Sequence, residues 1–145
     1  MLFTVNVESI DFPTPMLLQN LVAGYGAKSR PFALSRSKLG YEYNLPQESE
    51  TGLEVIPGKI ELEKLIELFN RCVHFVNVKE ARILGYKNFN WPGHVFANQP
   101  IYVQYTVQRL KPRLMCTDVD WLCELKDQND KTACALTIKQ RVYPA

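Results

Sequence analysis

The sequence has no apolar run that approaches the roughly 18 residues needed to cross a bilayer. Its longest candidate, Leu62 to Val78, is broken by Glu63, Lys64, Glu67, Asn70 and Arg71. Charge of one sign is equally scarce: 17 Lys+Arg stand against 15 Asp+Glu in 145 residues, a net +2. Without a dense basic stripe there is little to neutralise a phosphate backbone, which excludes a dedicated nucleic-acid binder. The same near-neutrality argues against attachment to a membrane surface. The four cysteines, Cys72, Cys116, Cys123 and Cys134, form no Cys-x-x-Cys and lie in apolar surroundings, so they read as reduced core residues. The opening Met-Leu-Phe-Thr-Val-Asn-Val-Glu has neither a basic n-region nor a small-residue cleavage site, so no secretory signal is expected and the cytoplasm is the expected compartment.

What is present is the composition of one globular domain over residues 1–145, with 46% hydrophobic and 22% charged residues and no internal repeat. A chain of this length buries roughly 68–70% of its unfolded surface, enough for an apolar core without metal or disulfide staples. Thr14-Pro15 reads as an N-cap with proline at the first helical position, predicting a short helix that ends at Gly24. Phe32 to Leu45, with Tyr41, Tyr43 and Leu45 on one parity, predicts a strand closed by Pro46 and a polar loop. From Ile60 to about Val76 the apolar positions cover nearly the whole circumference of a helix, which must therefore be wrapped by protein. Pro57-Gly58 turns into that helix, and Glu61 and Glu63 in its first turn suit the positive end of its dipole. Gly85 to Pro100 reads as a connection with a short strand inside it.

The final third changes period. Ile101, Val103, Tyr105 and Val107 alternate with polar positions, as do Val119, Trp121, Cys123 and Leu125, and then Thr132, Cys134, Leu136, Ile138, Gln140 and Val142. Lys111-Pro112 and Asp127-Gln128-Asn129-Asp130 separate these runs, so they predict an antiparallel meander. One long buried helix with a curved antiparallel sheet around it is an α+β layout.

A helix entered through Pro-Gly and followed by three long strands resembles the hotdog fold, in which the sheet wraps the helix. Within that fold the chain resembles the FcoT-type fatty acyl thioesterase family. Lys64-Leu65-Ile66-Glu67-Leu68-Phe69-Asn70-Arg71 is similar to that family's Glu-Leu-Ile-Leu-Cys-Phe-Asn-Gln segment. Tyr25-Gly26-Ala27-Lys28-Ser29-Arg30 is similar to its tyrosine followed by Cys-Lys-Gly-Cys-Arg, and Glu124-Leu125-Lys126-Asp127-Gln128-Asn129 to its Glu-Phe-Trp-Asp-Glu-Asn. The resemblance implies a site built from Asn70 and Tyr25. The family's second tyrosine falls at Leu53 here, which leaves that role vacant or to Tyr41 or Tyr43. It implies an enzyme acting on a fatty acyl thioester carried by coenzyme A or an acyl carrier protein, without a cofactor. Hotdog sites form between protomers, so a homodimer or higher oligomer is implied. Hydrolysis leads over the glycine addition to 2-enoyl thioesters also assigned within the family. A dehydratase-like enzyme and a non-catalytic acyl-carrier-binding module are the other readings.

The chemistry asks for donors aimed at a thioester oxygen, which helix N-terminal amides around Gly58, Lys59 and Ile60 supply without any particular side chain. Gly58 has no Cβ to hold a carbonyl away. Asn70 either donates to a carbonyl and holds a water, or caps backbone groups of a neighbouring strand. Tyr25 is either a phenol donor in a cleft or a surface anchor. Glu67, one turn before Asn70, is either a buried base or the ion-pair partner of Arg71 at i+4. Arg109, Lys111 and Arg113, with Lys28 and Arg30, either meet the phosphates of coenzyme A or a phosphopantetheine arm, or form a solvated strand end. Phe69, Val73, Phe89 and Trp91 either line an acyl channel or belong to the core. His94, in Trp91-Pro92-Gly93-His94, follows the helix where hydroxyacyl dehydratases carry their histidine before it, and reads as a loop or partner-facing residue. Cys72 and His74 have no second pair at ligand spacing, so no metal is expected, and apolar neighbours raise the Cys72 thiol above a useful nucleophile.

Overall fold

A computed structural model describes residues 3–5, 16–36 and 55–145. The core is a five-stranded antiparallel sheet in the order β3 (Gly26–Lys28), β7 (Ile101–Pro112), β8 (Thr117–Asp127), β9 (Thr132–Pro144), β6 (Val78–Asn90), all but the first of them long. β7, β8 and β9 form the expected meander. Their alternation is realised as burial: Val103, Tyr105, Val107, Trp121, Cys123, Leu125, Leu136 and Ile138 all point into the core. The β8–β9 turn is held by Asp127, whose Oδ1 accepts from the amides of Asn129 and Lys131, while Asp130 takes the left-handed φ of 63° that aspartate tolerates.

Helix α1 (Gly58–Cys72) lies across this sheet. Its buried residues Glu61, Leu65, Leu68, Phe69 and Cys72 recur at three- and four-residue steps, so it buries one stripe. The helix expected to about Val76 with burial over nearly its whole circumference is corrected in extent: it ends at Cys72, and Ile60, Leu62 and Ile66 are only partly buried, since the sheet covers one face. The helix stops because β5 (Phe75–Val76) pairs in parallel with β2 (Met16–Leu17), and Asn77, at φ 56°, turns the chain into the next strand.

That strand, β6 (Val78–Asn90), occupies thirteen residues of which only the last six overlap the connection expected at 85–100. It pairs with β9 through register shifts at Ile83/Gly85 and Lys87/Asn90, with Asn88 at φ 58°. As a sheet edge it buries few side chains, so no alternation marks it in the sequence. The helix expected before Gly24 is also corrected: the chain there is β2 followed by one 3-10 turn, Leu18–Asn20, because Met16 and Leu17 are used in strand pairing. Thr14 and Pro15 lie outside the described residues. Beyond the turn, β3 (Gly26–Lys28) pairs with β7, and β4 (Leu34–Arg36) pairs with β1 (Phe3–Val5). The rest of the strand expected over 32–45 lies outside the described residues. Three cysteines are buried as expected, and Cys116 is the exception, half-exposed where the β7–β8 hairpin turns.

Candidate active site

Pro57 opens α1 with φ −59°, and its carbonyl accepts the amides of Ile60 and Glu61, closing the first turn without a side-chain cap. Four residues before Leu65 on the same stripe, Glu61 is carried into the protein and is only 1% exposed. One carboxyl oxygen accepts the Val95 amide at 3.4 Å, and the other is the buried side-chain oxygen left without a hydrogen bond among the described residues. Burial disfavours the ionised form and lifts the Glu61 pKa from 4.5 to about 7, the Val95 amide opposing the shift. Such a carboxyl exchanges its proton near neutral pH.

Val95 separates it from a cavity of about 600 Å³ lined by Val55, His94, Phe96, Asp127, Lys131 and their neighbours, a lining that does not include Glu61. The wall is the 91–97 connection: Val95 turns its amide to Glu61 while His94 and Phe96, on either side of it, face the cavity. The mouth of the helix is covered by Trp91, whose Nε1 donates to the Gly58 carbonyl at 3.0 Å. A Cβ on Gly58 would meet that indole nitrogen at 2.8 Å. Because Trp91 is 45% exposed it has room to swing away. Gly58→Ala is therefore expected to lose the indole bond and cost about 1 kcal/mol in a urea melt, with the fold retained.

The residues singled out in the sequence are spread over α1, the second half of β7 and the segment just before β3. Asn70 is exposed near the helix C-terminus, nine residues and about 13 Å along the axis from Glu61. Tyr25 is half-buried on the far part of the sheet, where its carbonyl accepts the Val107 amide at 2.7 Å. No hydrogen bond joins Asn70 to Tyr25 among the described residues. Glu67 accepts from Lys64 at 3.0 Å and pairs with Arg71 at 3.2 Å, the ion pair its spacing favours. Lys59 is exposed with Glu63 at 4.0 Å. Phe69 is enclosed between Tyr105 and Trp121 in the core, away from the cavity. Arg109 and Lys111 sit around Asp118 and Asp120, about 30 Å along β7 from the cavity end at Ile101. Burial pushes the Cys72 thiol up to about 12, which leaves it protonated and inert. Leu53, Tyr41 and Tyr43, the positions for a second tyrosine, lie outside the described residues.

Glu61 entered the sequence reading only as a favourable charge at the helix start. The signal that identifies it was present: positions 61, 65, 68 and 72 share one face, and a carboxylate on an otherwise apolar face is either paired or perturbed.

No family model matches the chain, and no curated protein matches it. Solved structures do. A monoamine oxidase regulatory protein from Archaeoglobus fulgius superposes with a TM-score of 0.68 at 13% identity, over 90% of this chain and 96% of that one. A MaoC-like dehydratase from Rhodospirillum rubrum gives 0.62 at 13% identity, over 90% and 98%. A thioesterase from Haemophilus influenzae gives 0.49 at 13% identity, over 82% and 72%. With the helix packed on the antiparallel sheet, the first two likenesses define the class: this is an α+β hotdog-fold protein.

Proposed function

We propose that the protein hydrolyses fatty acyl thioesters carried by coenzyme A or an acyl carrier protein, at the N-terminal end of α1. The observation that carries this reading is Glu61, a buried carboxyl with one free oxygen and a pKa of about 7, set behind the wall of a 600 Å³ cavity. In the proposed reaction the ionised Glu61 takes a proton from a water admitted from the cavity. That water attacks the thioester carbonyl, the carbonyl oxygen gathers negative charge against the helix N-terminus, and the thiol leaves with a proton. The fold and the resemblance of the 64–71 and 25–30 segments to FcoT-type thioesterases supply the substrate class. The reading includes a homodimer, in which Asn70 of one copy faces Tyr25 of the other across the bound thioester.

The test is mass spectrometry of purified protein mixed with saturated and 2-enoyl acyl thioesters, with and without glycine. Free acid and free thiol as the main products are the expected result. A glycine adduct that requires the double bond would replace hydrolysis by amine addition. A 3-hydroxyacyl thioester formed from the enoyl substrate would make the protein a hydratase. Binding without turnover of any substrate would make it an acyl-carrier-binding module.

A further inference from the structure

We propose that the β7–β8 hairpin tip is a membrane-surface anchor that inserts Leu114 and Met115 among the lipids of an anionic bilayer. These two adjacent side chains are 98% and 73% exposed, the most exposed large apolar residues described. The turn that carries them is tied at its base. The Arg113 amide donates to the Cys116 carbonyl at 2.7 Å, closing the turn, and the Arg113 guanidinium donates to Asp118 at 2.7 Å. Asp118 is itself gripped by Arg141 through two bonds of 2.7 and 3.0 Å, so the base of the tip is tied to β9.

The surface beneath the tip is positive. Arg109, Lys111, Arg113, Lys139 and Arg141 gather there against two carboxylates, Asp118 and Asp120. Asp118 is taken by Arg113 and Arg141, and Asp120 lies 3.8 Å from Lys87. Arg109, Lys111 and Lys139 then have no carboxylate within ion-pair distance among the described residues. The net +2 of the chain conceals this local excess, which is why composition argued against a membrane. An apolar tip above this excess of cations is complementary to a surface that is negative outside and apolar just beneath. A fluid bilayer accepts two protruding side chains at any point, whereas a folded acidic protein needs a socket shaped for both. The observations therefore favour lipid.

The full chain is mixed with sedimentable vesicles of phosphatidylcholine, alone or with about a third phosphatidylglycerol. It is expected to sediment with the anionic vesicles, to stay in solution with the neutral ones, and to be released as salt rises to about 0.5 M. The double substitution Leu114→Ser with Met115→Ser removes only exposed groups. It is expected to keep the wild-type melting curve while partitioning about tenfold more weakly. Wild-type protein that stays in solution with anionic vesicles overturns the proposal, as does a double variant that binds them as well as wild type. So does a tip-dependent complex with an acidic acyl carrier protein in the absence of any vesicle binding, which would make the partner a protein. Thioester turnover plays no part in these readouts, so this proposal and the hydrolase reading stand or fall separately.

Discussion

Glu61→Gln is expected to leave a protein that is more stable than wild type at pH 8 and at least about 100-fold slower on acyl thioesters. Glu61 has a native pKa of about 7 against 4.5 when exposed, so between those values the folded protein keeps a proton that the unfolded chain has lost. The contribution of Glu61 to stability is therefore greatest below the lower value and falls by about 1.4 kcal/mol per pH unit through the window. About 3 kcal/mol is lost once both states are ionised, the burden of an unpaired buried carboxylate. Glutamine keeps the carbonyl that accepts the Val95 amide at 3.4 Å and cannot ionise. Its amide group inherits the unpartnered position of the second oxygen, a cost the protonated carboxyl also bears, so near pH 4 the two proteins should be nearly equal. Urea melts at pH 4 and pH 8 should show wild type declining by about 3 kcal/mol relative to a flat variant. Parallel decline of both would mean that Glu61 is not the group carrying the pH dependence. A stabilised variant with undiminished hydrolysis would leave the perturbed carboxyl real and remove it from the chemistry. The combination expected, gained stability with lost turnover, is the signature of strain kept at a working site.

The parts of this molecule that were legible in the sequence are those where burial is one-sided. Along β7 and β8, inward Val103, Tyr105, Trp121 and Cys123 alternate with partly exposed neighbours, and period two is visible without any tertiary information. β6 was obscured for the opposite reason. At the sheet edge it pays no penalty for Lys79, Arg82, Lys87 and Asn88, and its bulges interrupt what pattern there is. The first helix failed through tertiary override: Met16 and Leu17 satisfy a helical pattern locally but pair with Phe75 and Val76 from beyond α1. The candidate site was half legible. The Pro57-Gly58 helix start and the importance of its first turn could be read directly. That Glu61 loses solvent while Glu63 keeps it depends on which way α1 rolls on the sheet, and the all-round apolar character of the segment hid that choice. Asn70 comes from local resemblance and Glu67 from its spacing one turn before Asn70, and the three-dimensional arrangement puts both in the C-terminal half of the helix, away from Glu61.

Phe69→Ala is expected to be the most damaging single change to the fold, at about 3–5 kcal/mol. The ring stands edge-on to Tyr105 at 5.5 Å and to Trp121 at 5.9 Å, and all three residues are within 2% of complete burial. Those partners are fixed by more than packing. The Tyr105 hydroxyl donates to the Leu65 carbonyl at 3.2 Å, and the Trp121 indole donates to Gln140 at 3.0 Å. Neither can move into the space left by the ring without breaking a buried hydrogen bond, so a cavity persists and the cost sits at the upper part of the usual range. Against a total stability of about 5–15 kcal/mol for a domain of this kind, that is a large fraction, and the urea midpoint should fall accordingly. Phe69→Leu, which refills most of the volume, should recover more than half of the loss. The same pair of variants decides the older question of whether Phe69 faces an acyl chain. A channel wall has open space on one side, so truncation there would cost little stability and shift activity toward longer or bulkier acyl groups. A core ring wedged between helix and sheet gives the reverse, a heavy loss of stability with the chain-length profile of the surviving folded protein unchanged.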